Sequence, residues 1–309
     1  MAEVLVLGST GFIGSAVLSR LERGDNGVAG WSRSTNSHVN LFDLQSTRLC
    51  LEWEQPKYIF NCAAHVGSMK YISDHFAEIF HDNTLMASNL YRAASEVCDN
   101  QVMIINPLSN CSYPGNSDIQ REREWLSGEP HPSVYPYAHA KRFLYELSVC
   151  YQRKIVSTNL ILPNTFGPGD HTDPAKTHAL SGLIQRMIEA KRLNAPLFKV
   201  WGTGAPIREW GYISDMADLL THAMDHNIRR IVPLNLAQAR GWSIARSARE
   251  VAEAVGYVGD LVFDTNPRYD GDQKKILDDT EFRKFFPTYE FTDHTEAIRR
   301  TVHYYESVL

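Results

Sequence analysis

The stretch Val4-Leu-Val-Leu-Gly8-Ser-Thr10-Gly11-Phe12-Ile13-Gly14 decides how the rest of the chain is read. Four consecutive apolar residues, Val4 to Leu7, suit a strand buried on both faces, as in a parallel sheet. The run stops at Gly8. From Phe12 onward Ile13, Val17 and Leu21 recur at helical spacing, which predicts a helix over residues 12–23. A strand that turns through glycines into a helix offers unpaired backbone N–H groups and the positive end of the helix dipole to an anion. Gly8, Gly11 and Gly14 let the backbone approach a pyrophosphate, with Thr10, Phe12 and Ile13 beside it. Any tight strand–helix turn can use a glycine triplet. Its place directly after an N-terminal apolar strand favours a dinucleotide site.

Working outward, apolar runs at residues 58–63, 102–105, 157–162 and 231–236 predict further strands. Helical spacing at residues 77–98 and 137–152 separates them. Strands alternating with helices imply right-handed crossovers, hence an α/β chain with a Rossmann-type doubly wound parallel sheet. After about residue 163 the texture changes to a Gly/Pro/Asp loop over 164–174, a helix over 177–190, and a short strand with a turn over 196–208. We expect residues 1–162, with 211–237 returning to them, to form a dinucleotide-binding domain. Residues 163–309 should form a smaller mixed α/β portion, mainly for substrate, at the sheet's carboxyl edge.

Composition narrows the class. Of 309 residues 43% are hydrophobic and 22% charged, which fits a folded globular chain and not a disordered or fibrous one. The net charge is −5 with no basic block, so no nucleic-acid partner is expected. No apolar run approaches the roughly 20 residues that span a bilayer, and the start lacks the basic region and cleavage site of a signal peptide. Five cysteines (Cys50, Cys62, Cys98, Cys111 and Cys150) show no CxxC spacing. They argue against a disulfide framework or a zinc site, no metal is expected, and they fit a reducing cytoplasm.

Cofactor choice is read at the end of the second strand, where an acid suits NAD and a base suits NADP. The segment Val28-Ala-Gly-Trp-Ser32-Arg33 has no acid and offers Ser32 and Arg33, so NADP(H) is favoured. Asn61-Cys-Ala63-Ala64 supplies small residues at another strand end, suited to a cofactor lying on the sheet edge or simply to a packed helix. Tyr137-Ala-His-Ala-Lys141 sets a phenol and an ammonium one helical turn apart on one face. A nearby Lys⁺ and the nicotinamide charge should favour phenolate, allowing proton exchange near neutrality. Ser109, 28 residues before Tyr137, completes a Ser–Tyr–Lys set.

With these residues in hand the chain resembles the extended short-chain dehydrogenase/reductase family, and within it the GDP-L-fucose synthases. The stretches that carry the likeness are Ala63-Ala-His-Val-Gly67, Ser109-Asn-Cys-Ser-Tyr-Pro114, Asn164-Thr-Phe-Gly-Pro168, Val200-Trp-Gly-Thr-Gly204 and Pro206-Ile-Arg-Glu-Trp210. The resemblance implies NADPH-dependent 3,5-epimerisation and 4-reduction of a GDP-linked 4-keto-6-deoxy sugar. It puts the reductase set on Ser109, Tyr137 and Lys141, and the epimerising pair on Cys111 and His178. It also implies cofactor contact at Pro163, substrate contacts at Asn164, Arg186, Trp201, Arg208 and Lys275, and a homodimer built on the helices at 77–98 and 137–152. An enzyme that only reduces, or only epimerises, a related 4-keto nucleotide sugar such as a GDP-heptose or dideoxy sugar is the nearest alternative. A non-catalytic dinucleotide-binding regulator would be expected to lose part of the Ser–Tyr–Lys set, which is complete here.

The cofactor reading has a direct test. NADPH should bind at least ten times more tightly than NADH, because Arg33 can pair with the 2′-phosphate; tenfold corresponds to about 1.4 kcal/mol. Titration of both nucleotides into wild type and Arg33→Ala should show the preference and its loss. Equal affinities in the wild type would defeat the assignment.

Overall fold

The computed structural model describes residues 2–24, 27–34, 39–98, 102–264 and 270–309. The first half comprises β1 (Val4–Leu7), α1 (Phe12–Leu21), β2 (Val28–Trp31), α2 (Leu44–Glu54), β3 (Tyr58–Asn61), α3 (Met69–Asp74), α4 (Phe76–Val97) and β4 (Met103–Ser109). Next come β5 (Ile119–Gln120), α5 (Tyr135–Cys150), β6 (Val156–Leu162), β7 (Asn164–Phe166), α6 (Ala179–Arg192), β8 (Leu197–Val200) and β9 (Ile207–Arg208). The remainder is β10 (Trp210–Tyr212), α7 (Ile213–Asp225), β11 (Leu234–Asn235), β12 (Trp242–Ser243), α8 (Ile244–Val255), β13 (Asp260–Phe263), β14 (Lys274–Leu277), α9 (Phe282–Phe285) and α10 (His294–Val308).

Six strands form one parallel sheet in the order β2-β1-β3-β4-β6-β11. Within β1 alternate side chains point to opposite faces, as a pleated strand requires. Val4 and Val6 pack with Val17 and Leu21 of α1 and with Met216 and Leu220 of α7. Leu5 and Leu7 pack on the other face with Leu51 of α2, Leu90 and Tyr91 of α4 and Leu144 of α5. All four β1 residues are buried, which is why the strand reads as a continuous apolar run. The chain steps to β2 on one side of β1 and returns to β3 on the other, so the sheet's switch point lies beyond Leu7 and Asn61.

Several elements differ from their sequence reading. The strand expected at 102–105 continues through Asn106 and Pro107 to Ser109, because β6 pairs with it along its whole length. Asn106 survives there because its amide is fully engaged: it accepts from Asn61 at 3.1 Å and donates to Asn159 at 3.0 Å and to the Tyr91 hydroxyl at 2.7 Å. The strand expected at 231–236 shrinks to Leu234–Asn235, which pair with Leu160 and Ile161 after Pro233. Within the loop expected at 164–174, Asn164–Phe166 instead form β7 and pair with β10.

Beyond the main sheet, α6, α8 and α10 share a second apolar core with Phe166, Trp210 and Trp242. Phe12, from the glycine turn, is buried in this second core and ties the turn to it. The small sheet β12-β9-β14-β5 sets Lys275 opposite Arg208 in a parallel ladder.

Candidate active site

At the switch point the glycines are sterically required. Gly8 has φ +73°, and a Cβ there would lie 2.7 Å from the Ala63 nitrogen. A Cβ on Gly14 would lie 2.1 Å from the Gly8 carbonyl oxygen. Neither neighbour can yield, since both are backbone. Gly11 caps α1, and its N–H donates to Gly8 O at 2.9 Å. Gly8 itself donates to Trp31 O at 2.7 Å, binding the turn to the end of β2. Thr10 and Ser32 each hydrogen-bond Ser34, at 3.0 and 2.8 Å. Exposed Arg33 lies 5.0 Å from the centroid of the Phe42 ring. Ile13 and Ala63 are half-buried and Ala64 is exposed at the end of β3. This cradle fits a dinucleotide: close backbone, a helix N-terminus, and a cation with no acid at the β2 end.

The neighbouring strand β4 delivers Ser109 at its last position, and the chain tightens into a short turn in which Ser109 Oγ accepts from Cys111 N at 3.2 Å. Cys111 and Tyr137 flank one small apolar cluster with Ile72, Ile79, Val134 and Ala138. Pro136 sits in the first turn of α5, where no N–H is needed, so the helix starts just before Tyr137. Lys141 is buried one turn on; its Nζ donates to Pro107 O at 2.8 Å and lies 5.6 Å from the Tyr137 ring centroid. Burial pushes the Tyr137 phenol well above its usual value, and Cys111 adds to the rise. Burial also lowers the Lys141 ammonium to about 8, against a smaller opposing pull from Cys62. Desolvation is the leading cause of both shifts, beside the expectation that Lys141 and the nicotinamide charge together favour phenolate. Tyr137 stays protonated at neutrality, which suits a proton donor.

His178 arrives from another wall, immediately before α6. Its Nδ1 lies 2.9 Å from Asp170 Oδ1 and its ring 5.5 Å from that of Phe12. Pro163, buried, and Asn164 lead from β6 into β7, where Asn164 donates to Glu209 O at 3.2 Å. Arg208 donates to Asp270 O at 2.7 Å. Burial lowers its guanidinium pKa, while Asp272, Cys111 and Asp270 act the other way, so Cys111 lies within electrostatic reach of both Tyr137 and Arg208. Lys275 Nζ is 2.7 Å from Asp272 Oδ2. Arg186 and Trp201 instead make a pair of their own: the guanidinium stacks 4.1 Å from the indole centroid and donates to Lys199 O at 2.5 Å. Trp201 remains 63% exposed.

Residues passed over in the sequence complete the surroundings. Glu209 is fully buried and accepts backbone N–H groups of Gln238 and Leu277, each at 2.8 Å, tying three segments behind Arg208. His65 bridges Asp82 at 2.8 Å and the Tyr71 hydroxyl at 2.9 Å. Tyr71 flanks the same cluster as Cys111 and Tyr137. The one available signal was that Glu209 and His65 lie inside the stretches carrying the family resemblance.

A doubly wound parallel sheet with a glycine cradle at its switch point defines a Rossmann-type nucleotide-binding protein. Residues 4–236 match the NAD dependent epimerase/dehydratase family, and the chain belongs to it. The chain is 30% identical over 316 residues to a probable GDP-L-fucose synthase of Drosophila melanogaster, covering 99% of this chain and 97% of that one. It is also 30% identical over 294 residues to the GDP-L-fucose synthase of Escherichia coli K12, covering 91% and 90%. A crystal structure of a GDP-L-fucose synthetase from Naegleria fowleri bound to NADP aligns with a TM-score of 0.86 at 27% identity, over 98% of this chain and 92% of that one.

Buried Glu209 generates a pH prediction. Burial raises its carboxyl to about 8 despite the backbone hydrogen bonds from Gln238 and Leu277 that oppose the rise. Between the ordinary carboxyl range and about 8 the native chain then holds more protons than the unfolded one, so this group makes stability fall as pH rises. Urea midpoints measured from pH 5 to 8 should fall more steeply for wild type than for Glu209→Gln. Parallel profiles would show that Glu209 is ionised throughout.

Proposed function

We propose that the chain is an NADPH-dependent epimerase/reductase of a GDP-linked 4-keto-6-deoxy sugar, forming GDP-L-fucose by inversion at C3 and C5 and reduction at C4. The observation that carries this is Cys111: a thiol two residues after Ser109, beside Tyr137, within a chain resembling GDP-L-fucose synthases along almost its whole length. We assign the cofactor to residues 1–162 with 211–237, and the sugar nucleotide mainly to 163–309. Gly8, Thr10, Gly11, Phe12, Ile13, Gly14, Ser32, Arg33, Ala63, Ala64 and Pro163 line the cofactor's path. Asn164, Arg186, Trp201, Arg208 and Lys275 face the sugar nucleotide, the cations suiting its diphosphate.

A ketone at C4 acidifies the hydrogens on C3 and C5. Cys111 and His178 exchange those protons from opposite faces, one removing and the other returning. Ser109 and Tyr137 donate hydrogen bonds to the oxyanion that develops at C4. When bound, NADPH supplies a hydride for C4. Tyr137, protonated in its buried setting, gives its proton to the C4 oxygen, and Lys141, anchored on Pro107, holds a positive charge one turn away.

A homodimer is part of this reading. Phe76 and Phe80 on α4 and Tyr135 at the start of α5 are 47%, 43% and 43% exposed, and the Phe76 and Tyr135 rings stack 6.1 Å apart. Such aromatics suit a second copy of the same helix pair. Among the described residues no helix is long and apolar enough to cross a membrane, and none of the five cysteines is in a disulfide, in keeping with a reducing cytoplasm. Sedimentation at micromolar concentration should give a dimer; a lone 35.0 kDa species would refute it.

Two substitutions separate the halves of the chemistry. Cys111→Ser should cripple inversion yet leave C4 reduction, giving an uninverted or partly inverted product. Tyr137→Phe should cut reduction roughly 10²- to 10⁴-fold while C3 and C5 still take up deuterium from heavy water. NMR of the products checks both. Wild-type deuterium uptake in Cys111→Ser would make Cys111 a packing residue, and no uptake at C3 or C5 in the wild type would make the chain a 4-reductase alone.

A further inference from the structure

Asp170 and His178 are the two ends of one closed loop. Asp170 Oδ2 accepts the His178 backbone N–H at 3.0 Å, and Oδ1 accepts from His171 N at 2.9 Å. On α6, Gln185 braces the loop from inside by donating to His171 O at 2.8 Å and to Thr177 Oγ1 at 3.2 Å. The Tyr305 hydroxyl of α10 donates to Asp170 O at 3.2 Å, and Ala175 O accepts from Ser68 N at 2.9 Å. The Asp170 side chain is 0% exposed and that of His178 37%. Among the described residues, His178 is the one basic side chain within ion-pair distance of Asp170.

We propose that Asp170 is a positioning residue that fixes the tautomer and aim of the His178 ring. The inference rests on the role given to His178 above. Burial alone would raise the Asp170 carboxyl, but the hydrogen bond and charge of His178 outweigh it and hold the group below its usual range. An ionised carboxylate only accepts, so the proton of a neutral His178 ring stays on Nδ1, at 2.9 Å from Asp170 Oδ1. The lone pair then sits on Nε2, at the opposite side of the ring, and the Phe12 ring limits rotation from one side. Proton exchange with carbon therefore runs through Nε2. When His178 removes a proton, the C–H pair becomes the C=C bond of an enolate, the C4 carbonyl pair moves onto its oxygen, and the proton becomes Nε2–H beside the Asp170 anion. When His178 returns one, that N–H bond breaks, the carbon regains its hydrogen, and the Nδ1–H form is restored. A carboxylate so placed serves histidine by orientation and tautomer, without taking the proton itself.

Nitrogen-15 NMR of wild-type protein, with His178 assigned through His178→Gln, reads the tautomer without disturbing the loop. The expected form is Nδ1–H; a neutral ring carrying its proton on Nε2 overturns the proposal. Asp170→Asn then removes the anion, and its amide N–H₂ can donate to Nδ1 and force the wrong tautomer. Solvent-deuterium uptake at C3 and C5 should fall at least 10²-fold. Reduction of a substrate already inverted should stay within about threefold, and substrate KM should change little, which a merely collapsed loop would not allow. Wild-type uptake in Asp170→Asn, with His178→Gln inactive in exchange, overturns the role of Asp170 alone. Wild-type uptake in His178→Gln overturns both this inference and the epimerising role of His178.

Discussion

The site depends on how closely three backbone segments meet at the end of β1. Gly8 lies against the Ala63 peptide, and Gly14 against the Gly8 carbonyl, at separations that leave no space for a Cβ. This contact seats the N-terminus of α1 on the carboxyl edge of the sheet between β1 and β3. Everything that approaches the edge is referred to it. Phe12 anchors the turn in the second core, and the same ring borders His178.

Around that edge, burial sets the electrostatics. Tyr137, Lys141 and Glu209 are all shifted toward their neutral forms, and in each the loss of water is the leading cause. Asp170 goes the other way because a basic side chain, His178, is in direct hydrogen-bonded contact with its carboxyl. The contrast follows from the general rule that a buried charge persists when a group of opposite charge pairs with it, which the backbone partners of Glu209 and Lys141 do not supply. It also separates the two kinds of proton work assigned to the site. A neutral phenol donates once to an oxygen, whereas an imidazole beside a fixed anion can take and return protons.

The polar groups inside the sheet make a second point about construction. Asn61, Asn106 and Asn159 lie on three adjacent strands and pass hydrogen bonds across β3, β4 and β6, with Tyr91 and Ser157 joined to the same net. Fully satisfied, such a net costs little and locks strand register just beneath Ser109 and the Pro107 carbonyl that holds Lys141. The apolar run in the sequence stops at residue 105, before this asparagine and proline.

By itself the sequence determined what depends on neighbours along the chain. An apolar run of four followed by spaced glycines specifies a buried strand, a turn and a helix, and Tyr137 and Lys141 share a face because a helix has 3.6 residues per turn. The family resemblance singled out Cys111, His178, Arg208 and Lys275, but said nothing of what holds them. That was decided only in three dimensions. Asp170 reaches His178 because a loop folds back on itself. Lys275 stands opposite Arg208 because β14 pairs with β9. The burial that leads the shifts of Tyr137 and Lys141 comes from segments far from both in the chain. Spacing fixes which groups can meet along one element, whereas their solvation and partners depend on segments distant in the chain.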